Sequence, residues 1–159
     1  MNKDADKAAG SSRFAPKSDP RLTLQPRLFE LSSSRGTSDE RFERQFLEEI
    51  LSNDPCNEEA LIVLGHVYTR QGEYEKGLAI DRRLVRLRPS DPTAYYNLAC
   101  SHCLLGQSAD ALVALERAVS LGYRDLVHMM KDPDLASIRH DTRFRNIMSR
   151  IIAGSPANS

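Results

Sequence analysis

The chain has 159 residues, of which 40% are hydrophobic and 28% are charged, as in an ordinary globular domain. Its 22 basic and 22 acidic side chains balance, which excludes the broad positive surface typical of proteins that bind nucleic acid or anionic lipid. The longest aliphatic run, ALIVLG, is too short to cross a bilayer. Three cysteines and no secretory signal at the start predict reduced thiols in the cytoplasm.

The first 36 residues are rich in Ser, Pro, Lys and Asp and show almost no apolar periodicity. Such a segment cannot bury enough surface to offset its ordering entropy, so we predict a disordered tail over residues 1–36. One apolar island interrupts it, RLTLQPRLFEL at residues 21–31. This island could dock on the domain or on a partner, or it could be an ordinary linker.

A helical period begins at Thr37. Phe42, Phe46 and Ile50 follow one another at four-residue spacing, with two leucines beside them, and the pair Asp54-Pro55 ends the run. We therefore predict a lead helix over residues 37–54.

The next part of the chain repeats itself with a period of about 34 residues. Small and apolar residues recur at this step: Ala60 and Ala94, Leu64 and Leu98, Gly72 and Gly106, Leu78 and Leu112. Within each copy the apolar residues fall at helical spacing, so each helix pair leaves apolar surface that only a neighbouring pair can cover.

These residues resemble the tetratricopeptide repeat, a helix–turn–helix unit with the same period. The first copy carries Leu61, Leu64, Gly65, Tyr68 and Pro89 at the family spacing, with Gly77 and Asp81 departing from the usual second-helix residues. The second copy fits at Tyr95, Leu98, Ala99, Gly106, Ala111, Leu115 and Ala118. The resemblance implies an all-α solenoid, a right-handed stack of antiparallel helix pairs, with repeats at residues 57–90 and 91–123.

After Leu121 the repeat breaks. The stretch resembles the cap that ends short tetratricopeptide arrays in many bacterial proteins, through Leu121-Gly122-Tyr123, Asp125-Leu126, Asp132-Pro133-Asp134-Leu135, Arg139, Asp141 and Arg143-Phe144. It implies a helical cap over residues 124–152, which closes a domain spanning residues 37–152. Residues 153–159 are predicted to be a disordered C-terminus.

A Cys-x-x-Cys pair at Cys100 and Cys103 raises the question of metal or redox chemistry. The pair falls well inside a predicted helix, too late to gain a low thiol pKa from the helix N-terminus. A structural zinc site needs four ligands, and only His66, one repeat before Cys100, suggests a third. Buried or groove-lining thiols are therefore favoured, and a metal- or thiol-dependent sensor using these three residues remains the alternative.

The motifs of common enzyme classes are missing from the sequence, so we predict a non-catalytic scaffold or adaptor without a cofactor. In tetratricopeptide arrays the first helix of each repeat lines a concave groove that binds a peptide or a helix of a partner protein. The groove residues that the resemblance implies are Ile62, His66, Thr69, Arg70, Tyr96, Asn97, Cys100, Cys103 and Lys131, with Val127 and Met130 as further candidates in the cap. We expect no nucleic acid or membrane partner, and self-assembly as a homodimer is a further alternative.

Overall fold

A computed structural model describes residues 37–154, and this part of the chain is all-helical with no strand. The predicted tail at residues 1–36 lies outside the described residues, as does most of the predicted C-terminal end. Seven α-helices and one 3-10 helix follow in order: α1 Thr37–Asn53, α2 Glu58–Arg70, α3 Tyr74–Leu87, α4 Pro92–Leu104, α5 Ser108–Ser120, α6 Leu126–Lys131, η1 Pro133–Leu135 and α7 Thr142–Ile152.

Side-chain caps begin four of the α-helices. Asn57 accepts the backbone N–H of Ala60 at 3.0 Å before α2, and Asp91 accepts that of Thr93 at 2.8 Å before α4. Asp125 and Asp141 cap α6 and α7 in the same way. Each cap satisfies a backbone donor that the helix itself leaves open, which is why these boundaries fall where they do.

The helix pairs recur at the period of the sequence repeat. α2 and α4 begin at Glu58 and Pro92, and α3 and α5 begin at Tyr74 and Ser108. Gly72 and Gly106, separated by the same step, sit in the turns with φ of +75° and +71°. Most L-residues avoid this left-handed region, so the two glycines allow each helix to end and the chain to reverse.

Successive helices pack against one another from α1 to α5. Within the α2–α3 pair a Cβ built on Gly77 would lie 3.3 Å from the Thr69 Oγ1, and one built on Gly65 would lie 3.2 Å from the Ile80 Cγ2. The contacts descend α2 as they ascend α3, so the two helices are antiparallel. The glycines let their axes approach closely.

The buried apolar side chains form two clusters. The smaller is built mainly by α1, α2 and α3, and the larger joins α4 and α5 to the C-terminal elements α6, η1 and α7. Leu47 and Leu51 place α1 in the smaller cluster, while Phe144, from α7, belongs to the larger one. Both clusters bury apolar area that single helices would leave in water.

A buried polar contact spans the junction between the clusters. The Ser101 hydroxyl on α4 donates to the carboxylate of Asp81 on α3 at 2.5 Å, and both residues are buried. Asp81 is one of the two residues that depart from the tetratricopeptide pattern. Its hydrogen bond offsets the cost of burying a carboxylate there.

Among the helices of residues 37–154, none has both the length and the apolar character needed to cross a membrane.

Candidate functional site

The predicted groove residues lie on α2, α4 and α6, and the structure treats the three helices differently. On α2, Ile62 and His66 are half-buried. The Thr69 side chain is buried and donates to the Gly65 carbonyl at 3.0 Å. This back-bond holds the hydroxyl against its own helix, so Thr69 is not available to a ligand in this conformation.

Arg70 connects α2 to α1. Its Nη2 lies 2.6 Å from the carboxylate of Glu43, which is buried, and its Nε lies 3.7 Å from Glu40. A neighbouring link joins Arg44 to Glu73 at 2.7 Å. The guanidinium of Arg70 is therefore engaged within the protein, where it orients α1 on α2.

The predicted groove residues on α4 are all buried, namely Tyr96, Asn97, Cys100 and Cys103. Only 1% of Tyr96 is exposed, because its ring stacks on Tyr123 with ring centroids 4.3 Å apart and also contacts His128. The cap thus covers this face of α4. The expectation that Tyr96 is an exposed anchor for a partner is wrong, since side chains of the following segment already occupy that surface.

Asp132 is the centre of a buried polar cluster beneath the cap. Its carboxylate accepts the Tyr96 hydroxyl at 2.7 Å and the backbone N–H of Asp134 at 3.0 Å. The Cys100 Sγ lies 3.8 Å from the same carboxylate, and the His128 Nε2 lies 3.5 Å from it. Burial, with the nearby Cys100 and Asp132, raises the pKa of Tyr96, so its hydroxyl stays protonated and keeps donating.

A metal site is weakly supported by this cluster. Cys100, Asp132 and Asp134 bring one ligand-type atom each to within 4.8 Å of one another, and no other such group of three occurs in residues 37–154. Neither His66 nor Cys103 belongs to it, so the ligand set predicted for the sensor does not assemble. The Asp132 carboxylate already serves a tyrosine and a helix start, and structural zinc requires four ligands.

The thiols have the character of core residues. Cys100 and Cys103 are buried and free, whereas Cys56 is exposed. Burial raises the pKa of Cys103 to about 11. A thiol with so high a pKa is protonated near neutral pH, and the protonated form is a poor nucleophile and metal ligand.

The accessible part of the predicted surface is on α6. Val127 is 64% exposed and Met130 is 50% exposed, with exposed Lys131 next to them. We call these three residues the α6 surface. The sequence resemblance pointed to them, but it missed Asp132 as the residue that joins α4 to the cap. The only signal for that role was the Asp-Pro-Asp-Leu motif of the cap.

Comparison with known proteins gives limited information. No protein-family model matches the chain. The chain is similar to a chloroplastic protein of Arabidopsis thaliana, with 30% identity over 89 residues that cover 54% of this chain and 27% of that protein. The similar region thus spans about a quarter of the length of the curated relative.

Proposed function

We propose that the protein is a non-catalytic interaction module that binds a peptide or a helix of a protein partner through the α6 surface. The observation that carries the proposal is the exposure of Val127 and Met130, two large apolar side chains on one short helix. Exposed neighbouring apolar groups lose water when a partner covers them, and methionine adapts its shape to different partners. Lys131 at the edge of this patch favours a partner with an acidic group.

The helical array is proposed to be of the tetratricopeptide type. The step of about 34 residues between helix starts, the positive φ of Gly72 and Gly106, and the antiparallel α2–α3 pair support this assignment. In such an array α2, α4 and α6 would share one side. Half-buried Ile62 and His66 on α2 would then extend the binding surface beyond the cap, while α4 contributes mainly the buried support beneath it.

The proposed module acts without a cofactor, on protein rather than nucleic acid or lipid, and in the cytoplasm. The balanced charge of the chain supports the absence of a nucleic acid partner. Self-assembly through the same surface is the competing use of it, and the experiment below separates the two.

The α6 surface can be tested with Val127→Glu combined with Met130→Glu. Both side chains are exposed, so the variant should keep the wild-type helicity and unfolding midpoint. We expect capture of the partner by the immobilised full-length chain to fall at least tenfold, because about 1.4 kcal/mol of lost binding free energy is tenfold in affinity. Quantitative mass spectrometry of the captured proteins measures the change.

Val113→Glu is the matched control, since Val113 is 58% exposed but lies on α5. It adds a charge to an equally open apolar position away from the α6 surface. Partner capture that survives the α6 double variant, or that is lost equally in Val113→Glu, contradicts the proposal. A concentration-dependent dimer that the α6 variant abolishes, with no other protein captured, would assign the surface to self-assembly instead.

A further inference from the structure

Two phenylalanines form an exposed apolar patch on α1. Phe42 is 67% exposed and Phe46 is 43% exposed. Their rings stack with centroids 6.4 Å apart and planes 10° apart, so they present one continuous surface. We call this pair the phenyl patch.

The phenyl patch lies on the side of α1 that faces away from the core. Leu47 and Leu51, on the other side of the helix, enter the apolar cluster shared with α2 and α3. Among the described helices, α1 packs chiefly against α2. An apolar pair left open on the first described helix of a stacked array is the kind of surface that a further segment covers in repeat proteins.

The chain that precedes α1 contains a segment suited to cover it. The apolar side chains of residues 1–36 concentrate in residues 21–31, as Leu22, Leu24, Leu28, Phe29 and Leu31. Five residues, 32–36, connect this segment to α1. Extended chain covers about 3.3–3.6 Å per residue, so this linker reaches roughly 17 Å. Phe46 lies nine residues along the helix, or about 14 Å at 1.5 Å per residue, so the segment can reach both rings.

Charge supports the same occupant. Exposed Asp39 and Glu49 lie three residues before Phe42 and three residues after Phe46, which places both acids on the face of the phenyl patch. The segment at residues 21–31 carries Arg21 and Arg27 beside its leucines. Apolar contact flanked by opposite charges would fix the segment in one place on α1.

The small size of the patch distinguishes a tethered segment from a second copy of the chain. A stable interface between separate molecules buries about 800 Å² on each partner. Two phenylalanines bury about 150–250 Å² each when fully covered, and these two are already partly covered. A segment joined by a short flexible linker is present at about millimolar effective concentration, so a much smaller contact holds it in place.

From these observations we infer that residues 21–31 fold back onto α1 and cover the phenyl patch, forming an N-terminal cap of the helical array. The inference concerns α1 and does not depend on the partner proposed for α6. It assigns a structural role to the only apolar island in the sequence before α1.

The experiment uses the full chain with Phe46→Trp, because the sequence contains no tryptophan and the indole then reports on this one position. We expect a blue-shifted emission and protection from acrylamide quenching at all protein concentrations. Leu24→Glu with Leu28→Glu, added to the same chain, should shift the emission to the red and increase quenching by several fold. Hydrogen exchange of the α1 amides, measured without the tryptophan, should rise in the same leucine variant.

The matched control is Ser12→Glu with Ala15→Glu, which adds the same charge to the preceding chain but outside residues 21–31. It should leave emission, quenching and exchange unchanged. An indole that is equally exposed with and without the leucine substitutions overturns the inference. A blue shift that disappears on dilution also overturns it, because a second copy would then be the occupant.

Discussion

The interior of the larger cluster shows how burial sets the chemistry of individual residues. Tyr96 and Cys100 both lie against the Asp132 carboxylate, and Cys103 sits one helical turn further along α4. In the sequence Cys100 and Cys103 form a motif that often carries redox or metal chemistry. In the structure the cap removes them from water, which favours their neutral forms.

Thiol labelling provides a direct test of this burial. In the native protein at pH 8, Ellman's reagent should modify Cys56 quickly and the two buried cysteines at least tenfold more slowly, because they must first be exposed by local opening. In denaturant all three thiols should react at similar rates. Cys56→Ser should abolish the fast phase and leave the slow one unchanged. A second fast thiol in that variant would show that the cap does not cover α4.

The same burial predicts a dependence of stability on alkaline pH. The folded-state pKa of Cys103, about 11, is higher than the ordinary value of 9.0. The protonated thiol is therefore favoured in the folded state, and its contribution is fully present below pH 9 and lost as the pH rises through about 11. Cys103→Ala should flatten the fall in the free energy of unfolding over this interval, measured by urea titration.

At the scale of the helices, α1 is held on α2 by both apolar and charged contacts. Leu47 and Leu51 supply the apolar part, while the ion pair of Arg70 with buried Glu43 supplies the charged part. Ion pairs on the surface contribute little because water screens them, but removing one partner of a buried pair leaves a carboxylate without compensation.

Arg70→Met should therefore destabilise the protein by about 2 kcal/mol, a value between those for exposed and fully buried pairs. The amides of α1 should lose more hydrogen-exchange protection than those of α5. Arg143→Met is the matched control, because exposed Arg143 pairs with Glu116 at 3.3 Å near the C-terminal end. It should cost less than about 1 kcal/mol. Equal losses in the two variants would mean that Arg70 does not hold α1 in place.

The whole molecule consists of two apolar clusters that meet at a polar contact. The larger cluster contains 17 buried apolar residues and the smaller contains 10. The hydrogen bond from Ser101 to Asp81 crosses the junction. In arrays of stacked helix pairs, cooperative unfolding depends on such contacts between neighbours as well as on the stability of each pair.

Asp81→Ala should weaken the coupling between the clusters. We expect a loss of about 1–3 kcal/mol, the cost of removing the acceptor of a buried hydrogen bond. The smaller cluster should then open first, so that exchange in α2 becomes faster than in α5 and the unfolding transition broadens. Asp81→Asn keeps an acceptor for Ser101 and should retain more of the coupling. A single sharp transition in Asp81→Ala would show that the apolar contacts alone join the two clusters.

The sequence by itself determined the local structure of this protein. Helix starts follow from caps such as Asp91, the turn glycines follow from the repeat period, and the predicted lead helix over residues 37–54 agrees with α1 to within one residue. These features depend on local spacing along the chain, so periodicity and capping reveal them. The fold class, all-α, is confirmed for residues 37–154 for the same reason.

The tertiary structure decided which faces of the helices are open. A helical period shows that Phe42 and Leu47 point in different directions, but only the position of α2 shows that the leucine is buried and the phenylalanine exposed. Likewise, Tyr96 had the character of an interface residue until Asp132, 36 residues later, was found to accept its hydroxyl. Burial is a property of contacts between residues far apart in the chain, so a pattern within one helix cannot determine it.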